Sequence, residues 1–196
     1  HALGLKHITS SASNLLMEPN IVSSFDGPQF DEILGIQRSY GDIYEKSGGN
    51  ETGLTATSLG LLASGQTLSI GTSAGSVVVA ASDTDFVSID DESDVDVYSF
   101  TTTAAATVSI ELSPRGPTYT FTPEEDTQST WNTASQSDLT VELLRTDGTT
   151  TLSTSNVGGP GVSEAISSFS LPGAGKYYVR VTGSTLNMTQ MYRLNI

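Results

Sequence analysis

Two histidines near the start of the chain have the type and spacing of metal ligands. His1 and His7 lie six residues apart with Gly4 midway between them, and they are the only two histidines in the chain. Imidazole nitrogens bind zinc, and a glycine between two ligands allows a sharp turn that can bring both to one ion. Two histidines flanking a glycine also occur by chance, and His1 could be a residue left by cleavage. The pattern therefore leaves a zinc site and a chance spacing both open.

An acidic run in the middle of the chain is the second group that could do chemistry. Seven carboxylates fall within 14 residues, with no Lys or Arg among them. Such carboxylates repel one another unless water solvates them or a cation is shared. Calcium prefers oxygen ligands, so a calcium site and a solvated acidic loop are both open. The seven residues are Asp83, Asp85, Asp90, Asp91, Glu92, Asp94 and Asp96.

The elements that must position these residues are mostly strands. From about Asn50 onward, short runs rich in β-branched and aromatic residues are separated by Gly, Asp, Asn and Pro. Their number and spacing predict one antiparallel β-sandwich. Asp147-Gly148 predicts a hairpin turn, and the polar insertion 113–137 predicts a long loop. The runs are TLSIGTS, SVVVAAS, DFVSI, DVDVYSFTT, TVSIELSP, DLTVELLRTDGTT, EAISSFSLPGAG and KYYVRVTG.

One segment before the strands has a helical pattern. FDEILGIQRSYGD, residues 30–42, begins with acidic residues that suit the positive end of a helix dipole, and Gly41 predicts its end. We expect Ile36 and Tyr40 to pack in a core. The polar, Gly-rich stretch EKSGGNETG that follows predicts a linker. The residues at helical spacing are Ile33, Ile36, Gln37 and Tyr40.

Composition and charge exclude several classes of function. The formal charge is −14, from 22 acidic and 8 basic residues, so a nucleic-acid partner is not expected because its phosphates would be repelled. The chain has no cysteine, which excludes disulfides and thiolate zinc sites. No apolar run is long enough to span a membrane. We expect a secreted, extracellular monomer.

The N-terminal motifs together resemble the end of a known catalytic domain. His1, Gly4 and His7 fit the second half of H-E-x-x-H-x-x-G-x-x-H, and NLLMEPN places Met17 and Pro19 shortly after them. With the helix segment, they resemble the last part of the matrixins, which are metzincin zinc proteases with an L-M-x-P Met-turn and a final helix of the form D-D-x-x-G-I-Q-x-L-Y-G. The interval from the last histidine to the methionine is slightly longer than in that family. The helix positions that match are Asp31, Glu32, Gly35, Ile36, Gln37, Tyr40 and Gly41.

The matrixin resemblance implies specific roles. His1 and His7 would be the second and third zinc ligands, while Gly4, Met17 and Pro19 would have structural roles. The first zinc histidine and the general-base glutamate would precede His1, so no catalytic residue is expected in this chain. Residues 1–46 would then be the C-terminal subdomain of a metzincin catalytic domain, present as a short α-helical remnant. The implied substrate is a protein or peptide.

Three stretches of the strand region carry a second resemblance. NETGLTATSLG, DFVSIDDESDVDVYSF and the closing LPGAGKYYVRVTG and YRLNI resemble the bacterial pre-peptidase C-terminal (PPC) domain. That domain is a jelly-roll-like β-sandwich akin to the collagen-binding modules of clostridial collagenases. Residues 47–196 would comprise the linker and this sandwich. The resemblance implies a calcium ion held by some of Asn50, Glu51, Asp94 and Asp96, and a bacterial source.

Three functions remain as alternatives. The first is the C-terminal portion of a secreted zinc metalloendopeptidase, with a sandwich for substrate or surface binding or for secretion. The second is a non-catalytic, calcium-dependent binding module. The third is a secretion or folding appendage that is later removed. Three aromatic residues bear on binding: one of the strand neighbours Tyr177 and Tyr178 must face outward, and it or Trp131 could stack on a sugar or peptide or be a partly buried edge residue.

Overall fold

The described residues form one α-helix of 11 residues, a short 3-10 helix and many short strands. The computed structural model describes residues 4–5, 7–10, 15–18, 27–45, 48–75, 78–123 and 127–196. Within them, helix α1 spans Phe30–Tyr40 and a 3-10 helix spans Thr133–Ser135. The strands are β1 (Ile8–Ser10), β2 (Thr57–Leu61), β3 (Ser69–Ile70), β4 (Val87–Ile89), β5 (Val95–Thr102), β6 (Thr107–Pro114), β7 (Thr118–Pro123), β8 (Ser129–Asn132), β9 (Thr140–Leu144), β10 (Thr151–Ser155), β11 (Glu164–Ser170), β12 (Gly175–Thr182) and β13 (Gln190–Asn195).

Two five-stranded sheets form the main body. One sheet has the order β10–β9–β12–β5–β2, and the other has the order β11–β6–β13–β3, with β4 also paired to β13. The mostly β fold predicted from the strand runs is confirmed. The prediction that all strands pair antiparallel is wrong at one place, because β2 runs parallel to β5. Between these two strands the chain crosses to the other sheet to form β3 and β4, and a parallel pair needs such a crossover.

Most of the predicted runs contain strands, with one exception. Asp147 and Gly148 lie in the turn that joins β9 to β10, where the Arg145 N–H donates to the Thr150 carbonyl at 2.8 Å. The SVVVAAS run was predicted as a strand, but its described residues, 78–82, form none. There the backbone N–H of Val79 donates to Gln29 Oε1 at 2.8 Å. A side chain from outside the sheets thus takes the hydrogen bond that a strand ladder would have used.

The core lies between the two five-stranded sheets. Alternate residues along most of β6 point inward, so that Val108, Ile110 and Leu112 are buried while Thr107, Ser109 and Glu111 are exposed. This period of two is what a strand with one wet face requires. Burying each such aliphatic side chain contributes about 1.5–3 kcal/mol. The largest fully buried members of this core are Tyr98, Tyr192, Phe100, Ile89, Ile110, Leu112, Leu139 and Leu143.

The predicted loop at 113–137 is largely ordered. Strand β7 pairs antiparallel with β8, and β1 adds to the other edge of β7, which makes a third sheet of order β1–β7–β8. The segment TYTFTP alternates threonine with an aromatic residue or proline, and Tyr119 is buried while Thr118 is exposed. Threonine is polar in composition but favours strands. The prediction of a loop is therefore wrong for residues 118–123 and 129–132.

Helix α1 begins where the sequence predicts and ends slightly earlier. Gln29 and Glu32 form a capping box at its start, and Gly41 ends it with φ of 69°, a left-handed conformation that glycine adopts without strain. The expectation that Tyr40 packs in a core is wrong, since 62% of it is exposed, and Ile36 is half-buried. The buried face shares Ile33 and Gln37 with the predicted one, but it includes Phe30 and Leu34 in place of Ile36 and Tyr40. It consists of Phe30, Leu34 and Gln37, with Ile33 partly buried beside it.

A second apolar cluster packs α1 against the strand region. Its members come from before the predicted boundary at residue 46 and from after it, including β7 and β13. Since α1 has an apolar stripe along one face, its stability depends on this packing. The buried members are Leu15, Phe30, Leu34, Ala74, Val79, Phe86, Tyr119 and Met191, and Ile33, Phe121 and Trp131 are partly buried against them.

Candidate metal centre

Carboxylates from two parts of the chain converge beside the start of β5. Glu45 and Glu51 lie in the connection between α1 and β2, and Asp94 lies just before β5. The backbone carbonyl of Asn50 accepts a hydrogen bond from the Val97 N–H at 2.8 Å, which fixes the connection against β5. The fold therefore brings residues far apart in sequence to one place.

The geometry of this group suits a calcium ion. Within the described part of the chain, Glu45, Glu51 and Asp94 form one group whose carboxylate oxygens lie within 4.8 Å of one another. Calcium–oxygen bonds are about 2.3–2.6 Å long, so two ligands on opposite sides of one ion are separated by about 5 Å. The group has the hard oxygen donors that calcium prefers and includes no nitrogen or sulfur ligand.

Several buried oxygens around the group have no hydrogen-bond partner among the described residues. They include Glu45 Oε1 and Asp94 Oδ1, whereas the side chain of Asn50 hydrogen-bonds to Asp96. Asn50 and Asp96 are almost completely buried. A buried polar atom without a partner is costly and needs a compensating ligand. The donor set thus fits a divalent cation, which would satisfy these oxygens.

The pKa values of the same groups record the crowding of negative charge. Burial, and then the charges of Asp94 and Glu51, raise the pKa of Glu45 to about 8. Burial is also the main reason that the pKa of Asp94 rises to about 7, with the charges of Asp90 and Glu51 adding to it. Both shifts express the cost of ionising one more carboxylate at this place. A bound cation would remove that cost.

Asp96 lies next to the group but faces the interior. Tyr192 donates a hydrogen bond to Asp96 Oδ2 at 2.5 Å, and the hydroxyls of Tyr98 and Tyr192 are 2.7 Å apart. Burial, and then the charge of Asp94, raise the pKa of Asp96 well above its usual range. The chain of hydroxyls crosses the core, because Tyr98 belongs to one sheet and Tyr192 to the other. Asp96 therefore joins the acidic group to the centre of the sandwich.

The calcium ligands predicted from the sequence are thus all in one neighbourhood. Glu51 and Asp94 belong to the three-carboxylate group, and Asn50 and Asp96 are buried beside it. Sequence reasoning missed Glu45. The position of Glu45 could have indicated it as a ligand, because it lies in the same polar connection as Asn50 and Glu51. Whether these residues bind calcium stays a prediction.

The predicted zinc motif is described only in part, since His1 and Pro19 lie outside the described residues. His7 is exposed, and its Nδ1 lies 3.1 Å from the carbonyl oxygen of Met17. Gly4 has φ of 85°, the left-handed conformation that the predicted turn requires. The roles of these residues at zinc stay predictions.

A buried carboxylate holds the Met17 turn against the helix. Glu32 is 3% exposed. It accepts hydrogen bonds from the backbone N–H of Met17 at 3.0 Å and from that of Gln29 at 2.8 Å. The same side chain thus caps α1 and fixes the turn whose carbonyl faces His7. The sequence predicts that Glu32 favours the start of the helix, but it predicts neither of these hydrogen bonds.

The candidate aromatic residues for ligand binding are packed within the protein. Tyr177 and Tyr178 do face opposite sides of β12, yet both are buried. Tyr177 stacks on Phe100 in the core with ring centroids 6.0 Å apart, and Tyr178 packs on Val97 on the outer side of the sheet. Trp131 is half-buried and lies 6.2 Å from the ring of Tyr119. Tyr177 and Tyr178 therefore present no open ring face as a binding platform.

The fold and the acidic group define a class of protein, a two-sheet β-sandwich with a candidate cation site at the entry to one central strand. Residues 94–183 match the family model described as the bacterial pre-peptidase C-terminal domain, PPC. This part of the chain is therefore similar to a PPC domain. The match begins at Asp94 and ends after β12, so the N-terminal segment and α1 lie outside it.

Comparison with solved structures also finds similarity. The chain is similar to the pre-peptidase C-terminal domain of a collagenase from Bacillus anthracis, with 16% identity and a TM-score of 0.39, over 71% of this chain and 93% of that one. No curated protein matches the chain. Among the described residues, no helix combines the length and apolar character needed to span a membrane.

Proposed function

We propose that this chain is the C-terminal portion of a secreted bacterial zinc metalloendopeptidase, and that its sandwich is a calcium-stabilised accessory domain of the enzyme. The PPC match over residues 94–183 is the observation that supports the accessory role. The convergence of Glu45, Glu51 and Asp94 supports the calcium part of the proposal. Proteins or peptides are the proposed substrates, and the proposed location is extracellular.

In this proposal calcium links the connection after α1 to the sandwich. Glu45 and Glu51 come from the connection, and Asp94 comes from the start of β5. An ion held by all three would cross-link these elements only in the folded state, and an ion that binds only the folded state stabilises it by mass action. Magnesium would do less, because it keeps its waters and demands a small octahedral site.

The calcium proposal is tested by thermal unfolding of the 196-residue chain with calcium, magnesium or a chelator. At about 100 times its dissociation constant, calcium would add about 2.7 kcal/mol, which raises the melting temperature by roughly 5–10 °C for a chain of this size. The double variant Asp94→Asn with Asp96→Asn should lose this rise, and Glu45→Gln should weaken it.

Glu92→Gln is the matched control for the calcium experiment. Glu92 belongs to the same acidic run but is exposed and lies outside the three-carboxylate group. The Glu92→Gln variant removes one negative charge, as Glu45→Gln does, and should keep the calcium response. A melting temperature that ignores millimolar calcium in the unmodified chain would mean that the acidic run is a solvated loop.

The zinc part of the proposal rests on residues 4–42. The φ of 85° at Gly4 supports it, because the motif requires a sharp turn at this glycine. Zinc would supply an activated water for peptide hydrolysis, and this chain would supply His1 and His7 as ligands.

The enzyme proposal is tested by activity. The 196-residue chain should not hydrolyse casein or gelatin, because one zinc ligand and the general base are expected upstream. A precursor that includes the upstream residues should be active and sensitive to chelators, and His7→Ala should abolish that activity. Chelator-sensitive proteolysis by the 196-residue chain alone, or an upstream reading frame without H-E-x-x, would contradict the proposal.

A non-catalytic, calcium-dependent binding module is the second candidate. The PPC match lies entirely within the sandwich, which favours a function that does not need the zinc motif. Pull-down of the chain on insoluble collagen, with calcium and with a chelator, tests it. Calcium-dependent retention by a chain whose precursor shows no proteolysis would favour this candidate over the enzyme.

A further inference from the structure

The sandwich contacts the segment that precedes the linker through strand pairing. β1 pairs antiparallel with β7, with Ile8 opposite Pro123 and Ser10 opposite Phe121. β7 belongs to the β7–β8 hairpin, which lies within the polar insertion. The insertion therefore provides an edge to which the strand directly after His7 is added.

The same segment contributes one side of the second apolar cluster. Leu15, Phe30 and Leu34 are at most 3% exposed, and they pack with Tyr119 of the hairpin and Met191 of β13. Buried apolar contacts of this kind are the dominant favourable term in association. The interface thus has a dry core and does not consist of strand pairing alone.

Buried side-chain hydrogen bonds add to the strand pairing and the apolar packing. Gln29 is fully buried, and its Oε1 accepts from the Val79 N–H at 2.8 Å. The amide of Gln37 donates to the Phe86 carbonyl at 3.1 Å. Each bond joins α1 to backbone groups that no strand ladder occupies. They fix the register of the helix on the sandwich.

We infer that the sandwich carries a dock for the segment that ends at Asp42, and that this dock holds the segment independently of the linker. The dock consists of the β7–β8 hairpin, residues 78–90 and the start of β13. Its occupant is the helix-bearing segment of the same chain. Cutting the linker would therefore not release the sandwich from the part that bears His7, and this contrasts with an appendage that is removed by cleavage.

Docking of this segment requires neither the proposed calcium ion nor the proposed zinc ion, so it can be tested with both ions removed. A recognition sequence for a site-specific protease is inserted between residues 46 and 47 of the full chain. After cutting, the two pieces are passed through a sizing column at about 10 μM in a chelator, so that no shared cation holds them together. A dissociation constant below about 1 μM would keep most of the material associated, and we expect the pieces to elute as one species.

Two variants of α1 form a matched pair for this experiment. Leu34→Ser places a hydroxyl in the apolar cluster, where the native side chain is 3% exposed, and should weaken association at least tenfold. Tyr40→Ser changes a residue of the same helix that is 62% exposed and should leave association unchanged. Both substitutions lie in α1, so the sequence of the sandwich piece is the same in the two variants.

Trp131 provides a second measurement, since it is the only tryptophan in the chain. It packs on Tyr119 at the edge of the dock. Its emission should stay unchanged after cutting and should shift to the red for Leu34→Ser, as the ring meets water. Separation of the unmodified pieces, unfolding of the sandwich after cutting, or equal behaviour of Leu34→Ser and Tyr40→Ser would overturn the inference.

Discussion

At the scale of single residues, the most unusual feature is the buried chain of Asp96, Tyr192 and Tyr98. Tyr192 donates to Asp96 at 2.5 Å and lies 2.7 Å from the hydroxyl of Tyr98. All three are fully buried. Buried polar groups stabilise a fold only when their hydrogen bonds are made, so this network fixes how the two sheets face each other.

Tyr192→Phe should therefore destabilise the protein more than Tyr98→Phe. The first change leaves Asp96 Oδ2 without its partner and should lower the free energy of unfolding by about 1–3 kcal/mol. The second leaves the bond between Tyr192 and Asp96 intact and should cost about 0.5–1.5 kcal/mol. Urea unfolding measures both, and equal losses would show that the carboxyl does not depend on Tyr192.

Asp31 gives a pH dependence with a definite sign. Burial, and then the charge of Glu32, raise its pKa from 3.8 to about 7. The folded protein therefore keeps the proton through a range where the unfolded chain has lost it. The free energy of unfolding falls as the pH rises from about 4 to about 7, because the unfolded state binds fewer protons there.

Asp31→Asn should remove that loss. Its stabilising effect should be small at pH 4, should grow up to pH 7 and should then level off at on the order of 2 kcal/mol. Asp147 provides a control of opposite sign, because hydrogen bonds from Thr150 and Thr149 hold its pKa below the usual range. Asp147→Asn should destabilise the protein above pH 4. Unfolding followed across this pH range checks both, and a pH-independent effect of Asp31→Asn would contradict the assignment.

At the scale of elements, one glycine determines how closely β3 approaches β13. Gly71 follows β3 with φ of 75°, and a Cβ placed on it would lie 2.0 Å from the Tyr192 carbonyl oxygen. A backbone carbonyl cannot move away from such a clash, whereas the end of a long side chain can. The close pairing at this edge of the sheet thus requires glycine.

Gly71→Ala should be far more destabilising than Gly65→Ala. Gly65 has nearly the same φ, 76°, but a Cβ there would meet nothing within 4 Å. Both variants carry the strain of a left-handed alanine, roughly 1–2 kcal/mol, so their difference isolates the collision. We expect that difference to exceed about 2 kcal/mol in chemical unfolding, and similar costs would mean that the strand shifts freely.

At the scale of the whole molecule, β13 connects the two apolar clusters. Met191 belongs to the cluster around α1 and Tyr192 to the core between the sheets. Because these neighbours lie on one strand and face opposite sides, the two clusters share a backbone. We therefore expect the clusters to unfold together.

Met191→Ala tests this coupling. Met191 is fully buried, so its loss should cost about 2–5 kcal/mol. Amide protection should fall both in α1 and in β5. Met188→Ala is the control, because that side chain is 40% exposed and its loss should cost less than about 0.5 kcal/mol. Protection lost only around α1 would show that the clusters are separate cooperative units.

Much of the architecture could be predicted from the sequence alone. The alternation of β-branched and aromatic residues gave the main strands, Gly41 gave the end of α1, and Asp147-Gly148 gave the β9–β10 turn. These features are local, since a period of two or a glycine with positive φ is set by the nearest few residues. Glu51 and Asp94, two of the predicted calcium ligands, lie in one group of carboxylates, and calcium binding there stays a prediction.

Tertiary structure alone decided which distant residues meet. Glu45 joins Asp94 because Asn50 fastens the connection to β5, and no spacing in the sequence encodes that contact. Strands β7 and β8 of the polar insertion pair with each other. Their aromatic residues Tyr119 and Trp131 pack in the same apolar cluster as the buried face of α1. Tyr178, which faces outward from its sheet, is buried because the chain around Ala56 packs over it. Local pattern fixes which way a side chain points along its own element, but burial depends on what the rest of the chain places against that face.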